Sequence, residues 1–402
     1  MSEAVIVSVA RSPIGRAFKG SLTDMRADDL AAQIVRAALL HVPELGVGEI
    51  EDLLLGCGLP GGEQGFNMAR VVSLLAGLPG VPGATVNRYC SSSLQTIRMA
   101  AHAIRAGEGD AYIAAGVECV SRFMRGNSDN LPDTENPRFD SAKVRSGALA
   151  KGGRQWTPAV AMPDVYIAMG QTAENVALLE GVSRREMDEF ALESQQNAGR
   201  AIQQGFFDID ITPITLPDGT VVAHDDGPRP DTTLEDLEKL KPVFRPDGRV
   251  TAGNACPLND GAAAVVVMSA TRAMDLGIEP LARIVASAVT AIDPEIMGLG
   301  PVHACRRALS RAGMSIDDVD LVEMNEAFAA QVIPCARRLG IERTKLNVHG
   351  GGIALGHPFG MTGARLMTTL IHGLITRDET IGLETMCVSG GQGMAMIIER
   401  LR

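Results

Sequence analysis

Aromatic residues are scarce in this 402-residue chain, only 3% of it, with Trp156 the sole tryptophan. Hydrophobic residues still make up 46% and glycine fills 44 positions, so the core must be packed from small and aliphatic side chains. That balance suits close helix-on-sheet contact and favours an α/β architecture. Basic charge in excess is missing too. The formal net charge of -11 argues against a general nucleic-acid binder, because neutralising phosphates needs clustered Lys and Arg. A small anionic ligand needs only a local basic patch and is not excluded. No run approaches the roughly 18 apolar residues of a membrane-spanning helix. The start of the chain lacks the basic and apolar regions of a signal peptide. The seven cysteines, at 57, 90, 119, 256, 305, 335 and 387, form no C-x-x-C pair and no metal-ligand spacing. Free thiols in a reduced compartment fit them best, so a soluble cytoplasmic protein is expected.

A chain of this length needs more than one packed unit. The pattern after Ile50 reads strand (Leu53-Leu54-Leu55), Gly-rich turn, helix (Ala69 to Leu78), strand ending at Cys90, helix, and strand (Ala111 to Ala115). Gly107 supplies the left-handed stop of the second helix. The order returns downstream: Ser315 to Asp318, strand Leu321-Val322, helix Ala327 to Leu339, a Gly-rich turn holding His357, helix Gly363 to Ile375, and strand Thr380 to Met386. About 40 residues separate Ile50 from Cys90 and about 38 separate Val319 from His357, which points to an internal duplication. Two halves related by a pseudo-two-fold axis would bring Cys90 and His357 together at the centre. Between them, Ser121 to Gly248 has another texture, with a polar stretch Asn127–Ser141 and a Pro-, Gly- and charge-rich stretch Asp225–Gly248. This predicts an N-terminal half over 1–120, completed by 249–275, an inserted loop domain over 121–248, and a C-terminal half over 276–402. Within the insert, Ser183 with Glu186 forms a capping box for a helix reaching Gln204 and stopping at Gly205, and Thr233 with Asp236 opens another.

Four segments carry candidate chemistry. Asn87 to Ser93 joins a strand to a helix, and the helix start offers Cys90 unpaired N–H groups and positive potential, which favour thiolate. The competing reading is a small buried residue. His357 sits in Asn347–Gly360, where flanking glycines let backbone approach a ligand and Pro358 fixes the chain; a solitary His is otherwise usually structural. Cys387-Val388-Ser389-Gly390-Gly391 ends a strand in a turn of successive N–H groups able to hold an oxyanion, or is simply a turn with a buried Cys. Asn325-Glu326-Ala327-Phe328-Ala329 opens a helix, with Asn325 as its plain N-cap in the alternative.

These segments, in this order and over nearly the whole chain, resemble the thiolase family. So do Ala10-Arg11-Ser12-Pro13-Ile14-Gly15, Met169 to Ala177, Thr251 to Ala255 and Asn259-Asp260-Gly261-Ala262-Ala263. The resemblance implies duplicated βαβ halves in α-β-α-β-α layers with an inserted loop domain over CoA, in a homodimer or homotetramer. It implies Cys90 as the acylated nucleophile, His357 as its activator, and Cys387 as the group that moves the α-carbon proton. Asn325, through a water alongside His357, would hold one oxygen, and the N–H groups of Cys90 and Ser389 the other. Arg229, Cys256 and Phe328 are implied in substrate and CoA binding, and Met169 in the acyl pocket; Lys239, Lys241 and Arg245 could add charge. No permanent cofactor or metal is implied, with CoA as substrate.

The implied reaction is transfer of an acyl group from 3-ketoacyl-CoA to CoA, as in fatty acid β-oxidation. A short-chain acetoacetyl-CoA thiolase in the condensing direction is the alternative, and Ala168, where such enzymes carry His, tilts against it. A ketoacyl synthase has no use for Cys387, and a non-catalytic acyl-CoA or sterol carrier would be indifferent to Cys90→Ala. Departures from the family pattern are Ser93 and Ser389 for Gly, Cys256-Pro257 for Ser-Gly, and His349 for Asn; a need for positive φ at Ser389 would be strained.

Overall fold

The strands of this chain are apolar along their length rather than alternately, and a strand buried on both faces must lie between helix layers. In the computed structural model, which describes residues 2–123, 134–153 and 155–402, Ala4–Arg11 (β1), Ala111–Cys119 (β4) and Asn259–Ser269 (β5) are buried at every position. With Asp52–Gly56 (β2) and Gly83–Val86 (β3) they form a half-sheet in the order β1-β5-β4-β2-β3. The second half-sheet orders Ala282–Ala291 (β6), Leu321–Met324 (β7), Ile381–Val388 (β8) and Gln392–Arg400 (β9) as β6-β9-β8-β7.

Read from β1 and from β6, each half-sheet pairs antiparallel twice and then parallel. The last parallel partner, β3 in the first half, shrinks in the second to one parallel bridge, Val322 with Leu346. The predicted duplication is therefore visible in four corresponding strands of each half-sheet. The halves join where β1 pairs antiparallel with β6 at Val5–Arg283 and Ile6–Ala282.

Three apolar cores separate the layers. Ala27–Leu40 (α1) and Met68–Leu75 (α2) cover the outer face of the first half-sheet. Gly300–Ala312 (α7) and Ala329–Leu339 (α8) cover the second, together with insert helices Met169–Leu179 (α5) and Arg184–Gln203 (α6). Between the sheets lie Ser92–Ala106 (α3) and Thr362–Thr376 (α9), which share the central core. Both sites of interest sit where these two central helices begin.

Local signals act as expected at several ends. Gly107 caps α3 at φ 80°, Ser183 and Glu186 form the capping box of α6, and Thr233 accepts from Asp236 N. Other boundaries differ: the helix expected over Ala69 to Leu78 is Met68–Leu75, and the strand expected over Ala111 to Ala115 runs on to Cys119. The strand expected to end at Cys90 stops at Val86, because Asn87–Tyr89 turns toward α3. The helix expected from Ala327 starts at Ala329, since Phe328 is extended and bridges Ala255. Residues 127–133 of the expected polar stretch lie outside the described residues. Among the described residues no helix is long and apolar enough to cross a membrane.

Candidate active site

Cys90 is reached through a strained corner. Tyr89 is left-handed at φ 43°, and the corner is braced by Asn87 Oδ1 accepting from Tyr89 N at 2.8 Å and by Ser92 Oγ donating to Tyr89 O at 2.6 Å. The short 89–91 turn then runs into α3, packed against β8 and α9. Cys90 is 9% exposed. Burial pushes its thiol up to about 12, with Glu118 adding to the rise, while the N–H groups of Cys90 and Ser389 pull it back. Loss of water outweighs the helix start, so forming the thiolate needs a base.

His357 is held on three sides. Its backbone N–H donates to Asn259 Oδ1 at 2.9 Å, and Asn259 in turn donates to Gly15 O at 3.0 Å. Gly356, at φ 116°, makes that approach possible, as a Cβ there would lie 2.7 Å from the Asn259 side chain. Thr362 Oγ1 has one proton, which goes to Pro358 O at 2.8 Å, so it accepts from His357 Nδ1 at 2.6 Å. That tautomer leaves Nε2 unprotonated, and Asn325 Nδ2 lies 3.2 Å from it. Burial, then Arg365, pushes the imidazole down to about 3.

Asn325 itself is not an N-cap. It continues from β7, with its N–H donating to Thr385 O at 3.0 Å, four residues before α8. Its amide touches the imidazole directly.

Cys387, next to last in β8, lies opposite Gly393 and is fully buried, which raises its thiol well above the ordinary range, with Cys90, Cys335 and Cys256 adding to the rise. The left-handed conformations of the following turn fall on Gly390 (φ 77°) and Gly391 (φ 80°), not on Ser389, so the serine carries no backbone strain.

Contacts between the halves bind these pieces together. Ser93 Oγ accepts from Ala364 N at 2.9 Å, tying the starts of α3 and α9. Buried Glu118 accepts from Gly58 N at 2.8 Å, Gln64 Nε2 at 2.7 Å and Gly360 N at 2.9 Å, which anchors the His357 turn to the first half. Cys90, Cys387 and Cys256 are within electrostatic reach of one another, and the Ser389 N–H lowers the Cys90 thiol.

A cavity of about 460 Å³ is lined by Arg229, Gln195, Gly227, Cys256, Pro257 and Ile353 among others. Exposed Arg229 is fixed by its N–H, which donates to Gln195 Oε1 at 2.7 Å. Cys256 N donates to Ala327 O at 3.0 Å, and the adjoining Phe328 stands edge-on to Phe244 at 6.2 Å. Met169 opens α5, half-buried against the outer core of the second half. Arg245 is corrected to a structural role: it is buried and donates to Gln171 Oε1 at 2.8 Å and Asn175 Oδ1 at 2.7 Å. Lys239 is exposed and paired with Glu235 at 3.0 Å, and Lys241 is exposed. His349 stacks on Phe206 with ring centres 3.7 Å apart, beside a separate cavity of about 710 Å³. Thr362, Asn259 and Glu118 went unmarked by sequence reasoning; Asn259 lay inside a recognised motif, but its partner is 98 residues away.

The family model described as thiolase, N-terminal domain, matches residues 4–271, and that described as thiolase, C-terminal domain, matches 278–400. The chain is 45% identical to the 3-oxoadipyl-CoA/3-oxo-5,6-dehydrosuberyl-CoA thiolase of Escherichia coli (strain K12), over 100% of both chains. It is 44% identical to the 3-ketoacyl-CoA thiolase of Bacillus subtilis (strain 168), over 99% of this chain and 100% of the other. Its fold superposes on the dimeric peroxisomal thiolase of Saccharomyces cerevisiae with a TM-score of 0.89 at 35% identity, over 100% of this chain and 98% of that one.

Proposed function

The chain belongs to the thiolase family and is an acyltransferase, a 3-ketoacyl-CoA thiolase; we propose that it works through an acyl group carried on Cys90. The observation that carries this reading is the 89–91 turn bearing Cys90, packed against β8, the strand that holds Cys387, and against α9, the helix that follows the His357 turn. His357 Nε2 takes the Cys90 proton, and the sulfur attacks the 3-keto carbon. The oxygen there gains charge and is met by the N–H groups of Cys90 and Ser389. The bond between C2 and C3 then breaks, leaving acyl-Cys90 and an acetyl-CoA enolate, whose oxygen faces His357 and Asn325. Cys387 gives C2 its proton. A second CoA attacks the acyl-enzyme, its thiol proton restores Cys387, and the His357 proton returns to the Cys90 sulfur.

The cavity from Arg229 to Cys256 supports CoA binding, with Arg229 toward the nucleotide and Cys256 and Phe328 toward the pantetheine arm and the acyl group. No resident cofactor is needed for these steps. Ala168 and the relatives' names favour the degradative direction, with β-oxidation-type substrates, over short-chain condensation. A homodimer or homotetramer is supported by the edge strand β3, which among the described residues pairs only with β2 and has exposed Phe66 beside it.

Incubation with a 3-ketoacyl-CoA without free CoA, followed by peptide mass spectrometry, is expected to show the acyl mass on the peptide holding Cys90. Acylation at another residue, or none while turnover persists, overturns the reading.

A further inference from the structure

The outer part of the insert, from Phe139 to Tyr166, buries few apolar side chains among its described residues, namely Ala142, Leu149 and Trp156. Its helix Asp140–Leu149 (α4) buries only Ala142, Ser146 and Leu149. Polar contacts do the holding, and they converge on one carboxylate of the C-terminal half. Glu295 lies between β6 and α7 and is fully buried. Its Oε2 accepts from Arg145 Nη1 and from Trp156 Nε1, each at 2.8 Å. Its Oε1 accepts from Asp164 N at 2.8 Å and from Arg145 Nη2. Three stretches of the outer segment thus end on two oxygens. The backbone of Glu295 is fixed as well, by Asp293 Oδ1 at 2.9 Å and by Asn175 Nδ2 of α5 at 2.8 Å.

The same short turn holds the oxyanion loop. Ile292 N donates to Gly391 O at 2.7 Å, and Gly391 packs so tightly that a Cβ there would lie 2.2 Å from Ile292 O. Above it, Val165 from the outer segment is the neighbour nearest to a Cβ built on Gly390, at 3.8 Å. The segment that roofs this turn and the turn itself are therefore both fastened to residues 292–295.

We propose that Glu295 is a positioning residue for acyl transfer, its carboxylate locking the cover segment 139–166 to the oxyanion turn 389–391 so that roof and N–H donors keep one geometry. Four donors saturate this carboxylate. A carboxamide of the same shape turns its NH2 toward some of them and cannot replace it. Misplacement of reacting groups by about 1 Å costs on the order of 10²-fold in rate, so a loosened cover has a kinetic signature. Trp156, the only tryptophan, reports the state of the lock by its emission.

This inference rests on the acyl-Cys90 reading, and the experiment separates the two. Wild type, Glu295→Gln and Arg145→Gln are compared for Trp156 emission, for the rate of Cys90 acylation by rapid quench and mass spectrometry, and for the KM of CoA. Glu295→Gln is expected to shift emission to the red and slow acylation by about 10-fold to 100-fold, with the KM of CoA within about threefold of wild type. Arg145→Gln, on the outer helix, shows the same pattern more weakly and carries the test if Glu295→Gln does not fold. A red shift with an unchanged acylation rate overturns the inference, and so does a parallel loss of acylation and CoA affinity. If the wild type itself acylates no Cys90, the reading of the site falls instead.

Discussion

The turns leading into α3 and α9 occupy corresponding places in the two half-sheets, yet they hold their reactive groups in opposite ways. The first is short: Val86 to Ser92 presents Cys90 after a single left-handed residue. The second is long, and it is braced by buried Glu326, which accepts from Asn347 Nδ2 at 2.8 Å, Ser194 Oγ at 2.6 Å and Ile353 N at 3.1 Å. Burial acts on both turns with one physical effect and two outcomes. Loss of water disfavours whichever form is charged, so the Cys90 thiol is pushed up to about 12 and the His357 imidazole down to about 3. Duplication supplied two equivalent positions at the centre; the side chain placed at each decided whether burial retains a proton or refuses one. Both groups are neutral at rest, and charge develops where the substrate oxygens meet their donors.

The comparison breaks most sharply at the two thiols, one from each half. Cys90→Ala is expected to lower thiolysis of a 3-ketoacyl-CoA by at least about 10⁴-fold. It should also abolish exchange of a simple acyl group between CoA molecules. Cys387→Ala should lower thiolysis by about 10²- to 10⁴-fold, the range for a lost general acid, while leaving simple acyl exchange nearly intact. Equal loss of both reactions in the two variants would mean that the halves do not divide the chemistry in this way.

A smaller effect sharpens the statement about burial. An imidazole whose ordinary value is about 6.5 is proton-free in the fold down to about 3. Below pH 6.5 the unfolded chain therefore takes up a proton that the folded chain refuses. The associated stability is complete above pH 6.5 and is lost as pH falls toward 3. Between pH 7 and pH 5 the wild type should lose roughly 2 kcal/mol more than His357→Asn, read from urea unfolding at each pH. Parallel losses would show that His357 is not buried in its neutral form.

The smallest effect concerns Cys256, at the edge of the CoA cavity. A hydroxyl hydrogen-bonds better than a thiol by about 0.5–1.5 kcal/mol at most. Cys256→Ser should lower the KM of CoA a few-fold with kcat little changed, and a raised KM would place the side chain away from pantetheine.

Much of the molecule is legible in the order of residues. The repeat of strand, turn and central helix, the stops at Gly107 and Gly205 and the capping box at Ser183 follow from local patterns, whereas the roles expected at 90, 357 and 387 come from the family resemblance, local pattern alone leaving a structural reading open for each. The extended conformation of Phe328 and the internal role of Arg245 do not follow from local patterns, because each depends on a partner far along the chain. Ser389 shows the limit from the other side: the strain feared for it falls on Gly390 and Gly391, a distribution only the folded turn reveals.

What the sequence determines by itself is which side chains are available and how each short segment bends, since helix ends, glycine turns and strand runs are local properties. Tertiary structure decides the protonation of Cys90 and His357, the tautomer set by Thr362, and the gathering of Arg145, Trp156 and Asp164 on Glu295. The reason is that desolvation and hydrogen-bond geometry are set by neighbours from both halves and the insert, and those neighbours exist only once the layers have closed.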